Sequence, residues 1–325
     1  MSIGPVSPAA YLRLLRQNRN FRLLWMAQMV SEVGDWLYSV AVYSLLLEFT
    51  GSGQAVGLAV VLQVLPQFFV SPLAGSLCDR LKRKHVMIFA DLARAATVLG
   101  MLAVRSPETV WVVYWLLALE SVMWGFFEPA RSAIVPNLAR DYDELLVANA
   151  LASTTWSFNV ALGSLLGGLV AVAWGTDTVF VLNSVTFLVS ALLIRAMRFA
   201  EPHAVGRARL SWRSLADFSP VLEGVRYVAA DARLLATLLV KAGLGLLATH
   251  WVILPIFGQR IFAVDLGRLD PARAGMLGMS LLMGSRGIGA LLGPLIAGRW
   301  ARASRQRLGA GIVYGFLCVS AGYVG

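Results

Sequence analysis

GSLCDRLKRK, residues Gly75 to Lys84, joins two apolar stretches that are each long enough to cross a bilayer. A glycine, an acid at Asp79 and then a burst of bases form a loop too short to fold alone. That arrangement suits a tight hairpin between two membrane helices, with Gly75 permitting close helix contact. The composition agrees, because 58% hydrophobic residues, 14% charged residues and a mean hydropathy of +0.70 over 325 residues exceed what one soluble core can hide.

A transmembrane helix takes roughly 20 mostly apolar residues. Working outward from the hairpin, spans are expected at Leu23 to Leu47, Val56 to Leu77, Val86 to Val104, Val110 to Phe127, Leu145 to Ala173, Thr178 to Ile194, Leu234 to Phe257 and Ala274 to Ala297, with an unfinished segment from Leu308. The net charge of +10 would otherwise suggest a nucleic acid partner, but the bases sort by loop. Of the 28, 21 lie on alternate loops, four on the opposite loops and three inside helices. The positive-inside rule therefore places the N terminus in the cytoplasm of a multi-pass protein of the plasma (bacterial inner) membrane and excludes nucleic acid. The first apolar segment is too long for a cleavable signal. Cys78 and Cys318 imply neither a disulfide nor a metal site.

The stretch from Phe199 to Arg233 is the one long polar interval, and LEGVRYVAADARLL within it reads as an amphipathic helix. The expected organisation is a six-helix bundle at 1–198, a linker at 199–233 and an incomplete second bundle at 234–325. SPLAGSLCDRLKRK at Ser71 to Lys84 is echoed by GPLIAGRWARASRQR at Gly293 to Arg307, as parallel repeats would require, without a counterpart of Asp79. The chain is expected to be a piece of a longer protein, broken after about eight and a half helices.

Ionisable groups inside the hydrocarbon are the strongest pointers to function. Gln28, Glu32, Asp35 and Ser39 fall at i, i+4, i+7 and i+11, one helical face, which should line a cavity. Glu32 and Asp35 together can exchange protons or bind a cationic substrate, or they can form a structural pair. Trp36 adjoins them and suits an apolar cargo. Glu120, mid-helix without a local base, is the second candidate for proton coupling. Arg286 is equally deep and can partner Glu120 or act as the counterion of Glu32 or Asp35. Asp91 and Arg94 lie about 8 to 12 Å inside their span, close enough to pair and snorkel to the surface, a structural role. Lys241 is expected to snorkel, and His250 is a lone histidine.

The hairpin, together with NRNFRLLWMAQMVSEVGDWL at Asn18 to Leu37, DLARA at Asp91 to Ala95, FFEPARSAIVPNL at Phe126 to Leu138 and VRYV in the linker, resembles the major facilitator superfamily, within it the drug and siderophore exporters. Lys82 stands where that family's loop usually has glycine. The resemblance implies an all-α integral membrane fold of two six-helix bundles. It implies a cytoplasmic latch of Gly75, Asp79, Arg80 and Arg83, with Glu128 or Arg131 as partners. GSLLGG, containing Gly163, Gly167 and Gly168, is similar to an antiporter element with Ser164 in place of proline, and GALLGP carries Gly289 and Gly293. Both are expected to pack the fifth and eighth spans together. The chain has no GxxxxGK[ST] loop and no HExxH, so it lacks its own ATP cradle and the commonest intramembrane protease signature. No cofactor or metal is implied. The expectation is a monomeric, non-enzymatic secondary exporter of a small lipophilic compound, such as a drug, macrolide or siderophore, exchanged for protons. The alternatives are a lysophospholipid flippase, a uniporter, or a permease subunit that depends on a separate ATPase.

Overall fold

A computed structural model describes residues 7–201, 219–246, 249–264, 267, 269–301 and 304–324. Among them there is no strand. The helices are α1 (Pro8–Gln17), α2 (Arg19–Thr50), α3 (Gly53–Cys78), α4 (Arg83–Leu99), α5 (Val110–Leu138), α6 (Tyr142–Trp174), α7 (Thr176–Arg195), α8 (Ser219–Ala230), α9 (Ala232–Leu246), α10 (His250–Arg260), α11 (Pro271–Ala301) and α12 (Arg305–Val324).

Local chemistry sets the boundaries. Asn18 ends α1 and caps α2, its side-chain oxygen accepting the Phe21 N–H at 3.0 Å while its amide donates to the Leu138 carbonyl at 2.8 Å. Gly51, at φ 59°, lets the chain leave α2 in a left-handed conformation, and Ser52 caps α3. Asp141 caps α6 by accepting the Glu144 N–H at 2.7 Å.

Among the described residues, six helical stretches are long and apolar enough to cross a membrane: Gly53–Cys78, Arg83–Ala103, Pro107–Leu138, Tyr142–Trp174, Thr176–Arg195 and Pro271–Ala301. With 32 residues α2 is also long enough, but its polar stripe makes it less apolar. Within the expected span from Leu234 to Phe257 the described helices are α9, ending at Leu246, and α10, starting at His250; residues 247–248 lie outside the described residues. The amphipathic segment of the linker is divided, since Asp231 separates α8 from α9 by accepting the Arg233 N–H at 2.8 Å. Residues 202–218 of the expected linker and the side chain of Lys241 lie outside the described residues.

The interior is layered along the helix axes. One apolar cluster, at the end that carries most of the bases, includes Leu24, Met87, Phe127, Ile134 and Ile194. A second cluster at the opposite end includes Tyr38, Leu46, Val98, Leu117 and Phe180. Between them, at corresponding depths on α2, α4, α5, α6 and α7, lie Glu32, Asp91, Arg94, Ser121, Asn159 and Ser190, all buried. Beyond the first seven helices, α11 packs along α6 and α10 packs against α2, α3 and α11. From Ala274 to Gly287 α11 is mostly buried, whereas from Ile288 to Trp300 it is mostly exposed.

Candidate functional site

The polar layer is organised around one guanidinium. Arg94 stands eleven residues after Arg83 and nine before Ala103, so it is mid-span, and only 1% of it is exposed. Its Nη2 donates to both carboxylate oxygens of Asp35, at 2.9 and 2.8 Å, and to Glu120 Oε1 at 2.8 Å, while Nε donates to the same Glu120 oxygen at 2.9 Å. Its own-helix neighbour Asp91 is farther away, 3.9 Å from Nη1, and Asp91 accepts the Ser190 hydroxyl at 2.6 Å. Trp124 and Phe187 lie beside the guanidinium, their ring centroids 4.9 and 4.1 Å from Cζ.

This geometry corrects two expectations. Asp91 and Arg94 do pair, at 3.9 Å, yet they do not snorkel to the surface, because both are buried and Arg94 also reaches inward to acids on α2 and α5. Glu120 has a base after all, and it is Arg94 rather than Arg286. The reason is depth: 1.5 Å per residue brings Asp35, Arg94 and Glu120 to one level of three adjacent helices, a relation that sequence separation conceals.

Asp35 and Glu120 border a cavity of about 160 Å³ that is also lined by Glu32, Trp36, Tyr38, Gln63, Gln67 and Trp156. Glu32 lies one turn from Asp35 but belongs to a different network. Its two oxygens accept the Gln28 Nε2 and the Asn159 Nδ2, each at 2.8 Å. Trp36 stacks on Trp251 of α10, with centroids 5.1 Å apart and planes 15° apart, and meets Trp156 edge-on at 6.0 Å. Arg286 lies over the other partner in this stack, its Cζ 3.7 Å from the Trp251 ring centroid. His250 is tilted against the same ring at 5.3 Å. Asn159, Ser190 and Trp124 were not among the expected site residues; their common signal is that each falls in the charged layer.

The basic-end residues form two groups. Arg83 pairs with Asp79 at 3.5 Å, donates to the Ala133 carbonyl of α5 at 2.8 Å, and its backbone N–H donates to Glu201 at 2.8 Å. Arg131 grips Glu128 through both oxygens, at 2.8 and 2.6 Å, and donates to Gln28 Oε1 at 3.3 Å. Arg80 sits in the turn, with its N–H donating to the Leu77 carbonyl at 3.0 Å. Among the described residues an added Cβ at Gly75 would meet nothing within 4 Å, which corrects its expected place at a helix contact; its carbonyl accepts the Asp79 N–H at 3.1 Å.

Glycines bring α6 against its neighbours. A Cβ at Gly163 would stand 2.6 Å from Trp36 Cβ, one at Gly167 would stand 2.9 Å from the Leu37 backbone, and one at Gly168 would collide with Ser280 of α11. On α11 the glycines that meet α6 are Gly284, against Leu165, and Gly287, against Ala161. Gly289 and Gly293 have open space around them among the described residues, which corrects their expected packing role.

A family profile described as Major Facilitator Superfamily matches residues 24–325. Over 229 residues the chain is 27% identical to the MFS-type transporter YfiS of Bacillus subtilis (strain 168), covering 70% of this chain and 53% of that protein. It is also 27% identical over 183 residues to macrolide efflux protein A of Streptococcus pyogenes, covering 56% of this chain and 45% of that one. The chain thus spans about half the length of the curated relatives it matches. Its fold is similar to the crystal structure of peptide transporter POT in complex with sulfate, with a TM-score of 0.61 at 13% identity over 89% of this chain and 69% of that one.

Proposed function

The chain belongs to the major facilitator superfamily, and we propose that its protein exports a small lipophilic or amphiphilic compound in exchange for protons. The observation that carries this reading is the single guanidinium of Arg94 shared by Asp35 and Glu120 at mid-span. With both acids ionised, the trio holds one negative charge in excess, and an uncompensated charge at that depth costs several kcal/mol. A proton on either acid removes the excess, and so does a cationic or strongly polar group of the cargo. Two species that neutralise the same cluster compete for it, and that competition is what antiport requires.

The cavity beside the cluster is smaller than the 300 Å³ or more typical of drug-sized sites, so it suits a polar head and a few waters. The apolar body of the cargo then lies against Trp36, Trp156 and Trp251, which continue the cavity wall toward α10. Similarity to a macrolide efflux protein supports outward movement of such a compound. The contacts of α6 with α11 and of α2 with α10 join the first seven helices to the later ones. The exposed second half of α11 supports a rocking of these groups about that seam.

The test uses everted membrane vesicles with an acidified lumen and a pH-sensitive dye, to which macrolides and lipophilic amines are added. Substrate-dependent dissipation of the gradient is expected, and Asp35→Asn and Glu120→Gln should each abolish it. A gradient undisturbed by every compound, or one dissipated equally by both variants, sinks the proton-coupled reading in favour of uniport or lipid flipping.

A further inference from the structure

Glu32 is a buried carboxylate that the Arg94 cluster does not use. Only 5% of it is exposed, and each oxygen accepts one amide N–H, from Gln28 on its own helix and from Asn159 on α6. The two amides differ in one respect. The Gln28 oxygen already accepts Arg131 Nη1, and Arg131 is held by Glu128, so the orientation of that amide is set from the basic end. The Asn159 oxygen is fully buried and has no hydrogen-bond partner among the described residues. Such an orphaned acceptor beside a carboxylate has a use in only one protonation state.

We propose that Asn159 is a positioning residue that reads the protonation of Glu32 and passes it to α6. The inference rests on the proton-exchange reading of this cavity. With Glu32 ionised, its Oε2 accepts the Asn159 Nδ2 hydrogen, as the structure has it. When a proton arrives from water in the cavity, an O–H bond forms at Glu32 and the carboxyl becomes a donor facing a donor. Rotation of the Asn159 amide by half a turn presents Oδ1, which accepts the new O–H. The Nδ2–H···Oε2 bond is exchanged for Oε2–H···Oδ1, so the number of hydrogen bonds between the two residues is unchanged and no other bond breaks. Gln28 cannot make the same exchange without giving up Arg131.

The charged surroundings of Glu32 are Asp35 on its own helix, Arg94 of α4, and Glu120, Glu128 and Arg131 of α5. From α10 and α11 the ionisable groups are His250 and Arg286, both against Trp251. In α6 and α7 the acidic and basic groups lie only at the helix ends, Asp143 and Glu144 in α6 and Asp177 and Arg195 in α7, so at this depth α6 addresses Glu32 through Asn159. The consequence travels because Asn159 is two residues from Ala161, which touches Gly287, and nine from Gly168, which lies on Ser280. The side chain that registers the proton is on the helix that forms the seam with α11.

Difference infrared spectroscopy of the protein in lipid nanodiscs, titrated from acid to alkaline buffer, tests this without any transport. The carboxyl band of protonated Glu32 is identified by its loss in Glu32→Gln. In Asn159→Leu that band should change frequency, and its midpoint should move by roughly one pH unit to the alkaline side, because the ionised form loses a charge-assisted donor. The isosteric Asn159→Asp variant should move the midpoint in the same direction and guards against a packing defect in the leucine variant. In a Glu32→Gln background Asn159→Leu should leave the remaining carboxyl bands in place. A Glu32 band that neither variant moves overturns the inference, even where export proves proton-coupled. A band that both variants move upholds it, even where the vesicle dye stays flat.

Discussion

Arg94 holds three acids of the interior together, since it faces Asp35, Glu120 and Asp91 while only 1% of it is exposed. Removing one partner of a buried ion network costs far more than the network contributes, because the charges left behind stay desolvated. Arg94→Ala should therefore lower stability by on the order of 3 kcal/mol, read as an earlier thermal unfolding midpoint in detergent. Adding Asp35→Asn and Glu120→Gln to it should restore much of the loss. A lone Arg94→Ala that melts with the parent would show that the carboxylates are already neutral. At this scale the sequence reveals which residues are charged in an apolar setting, Asp35 and Glu120 among them. It suggests only one of the three partners of Arg94, since the three-residue spacing to Asp91 is visible in the chain and the equal depth of Asp35 and Glu120 is not.

Among the elements, α6 is pressed by neighbours on two sides. Its glycines admit the backbone of α2 on one side and Ser280 of α11 on the other. Close approach of this kind is how helices associate where lipid offers no hydrophobic drive. A leucine at Gly168 or Gly287 should separate α6 from α11 and reduce the yield of folded protein, while a leucine at Gly289 or Gly293 should be tolerated; gel-filtration profiles in detergent compare the four. Equal behaviour at Gly287 and Gly289 would contradict the described seam. Small residues spaced along a helix are legible in sequence, but the crossing angle decides which of them touch. A second device in α3 was not legible: near Pro66, the Ser121 hydroxyl accepts the Gln67 N–H at 3.3 Å and donates to the Gln63 carbonyl at 2.8 Å. Proline interrupts the helix ladder, and a side chain from α5 occupies the opening.

For the whole molecule, the layering of apolar cluster, charged layer and apolar cluster explains how a chain so hydrophobic keeps four acids, Glu32, Asp35, Asp91 and Glu120, and an arginine inside. The bases gathered at one end give the same molecule a sidedness. With Cys78 and Cys318 replaced by serine, single cysteines introduced at Lys82 and Arg140 should react with a membrane-impermeant maleimide from one face of a vesicle, and one at Glu108 from the other. Labelling of all three from one face would refute the helix order. Residue order alone is enough to read the membrane class, most of the spans, the placement of bases on alternate loops and the set of ionisable residues in the hydrocarbon. These follow from the local cost of placing each residue type in lipid or water. Packing in three dimensions is what sets Arg94 against Asp35 and Glu120, turns Glu32 to Asn159 and brings Gly287 rather than Gly289 against α6. Those relations depend on the relative depth and crossing of separate helices, and residues dozens of positions apart in the chain carry no mark of either.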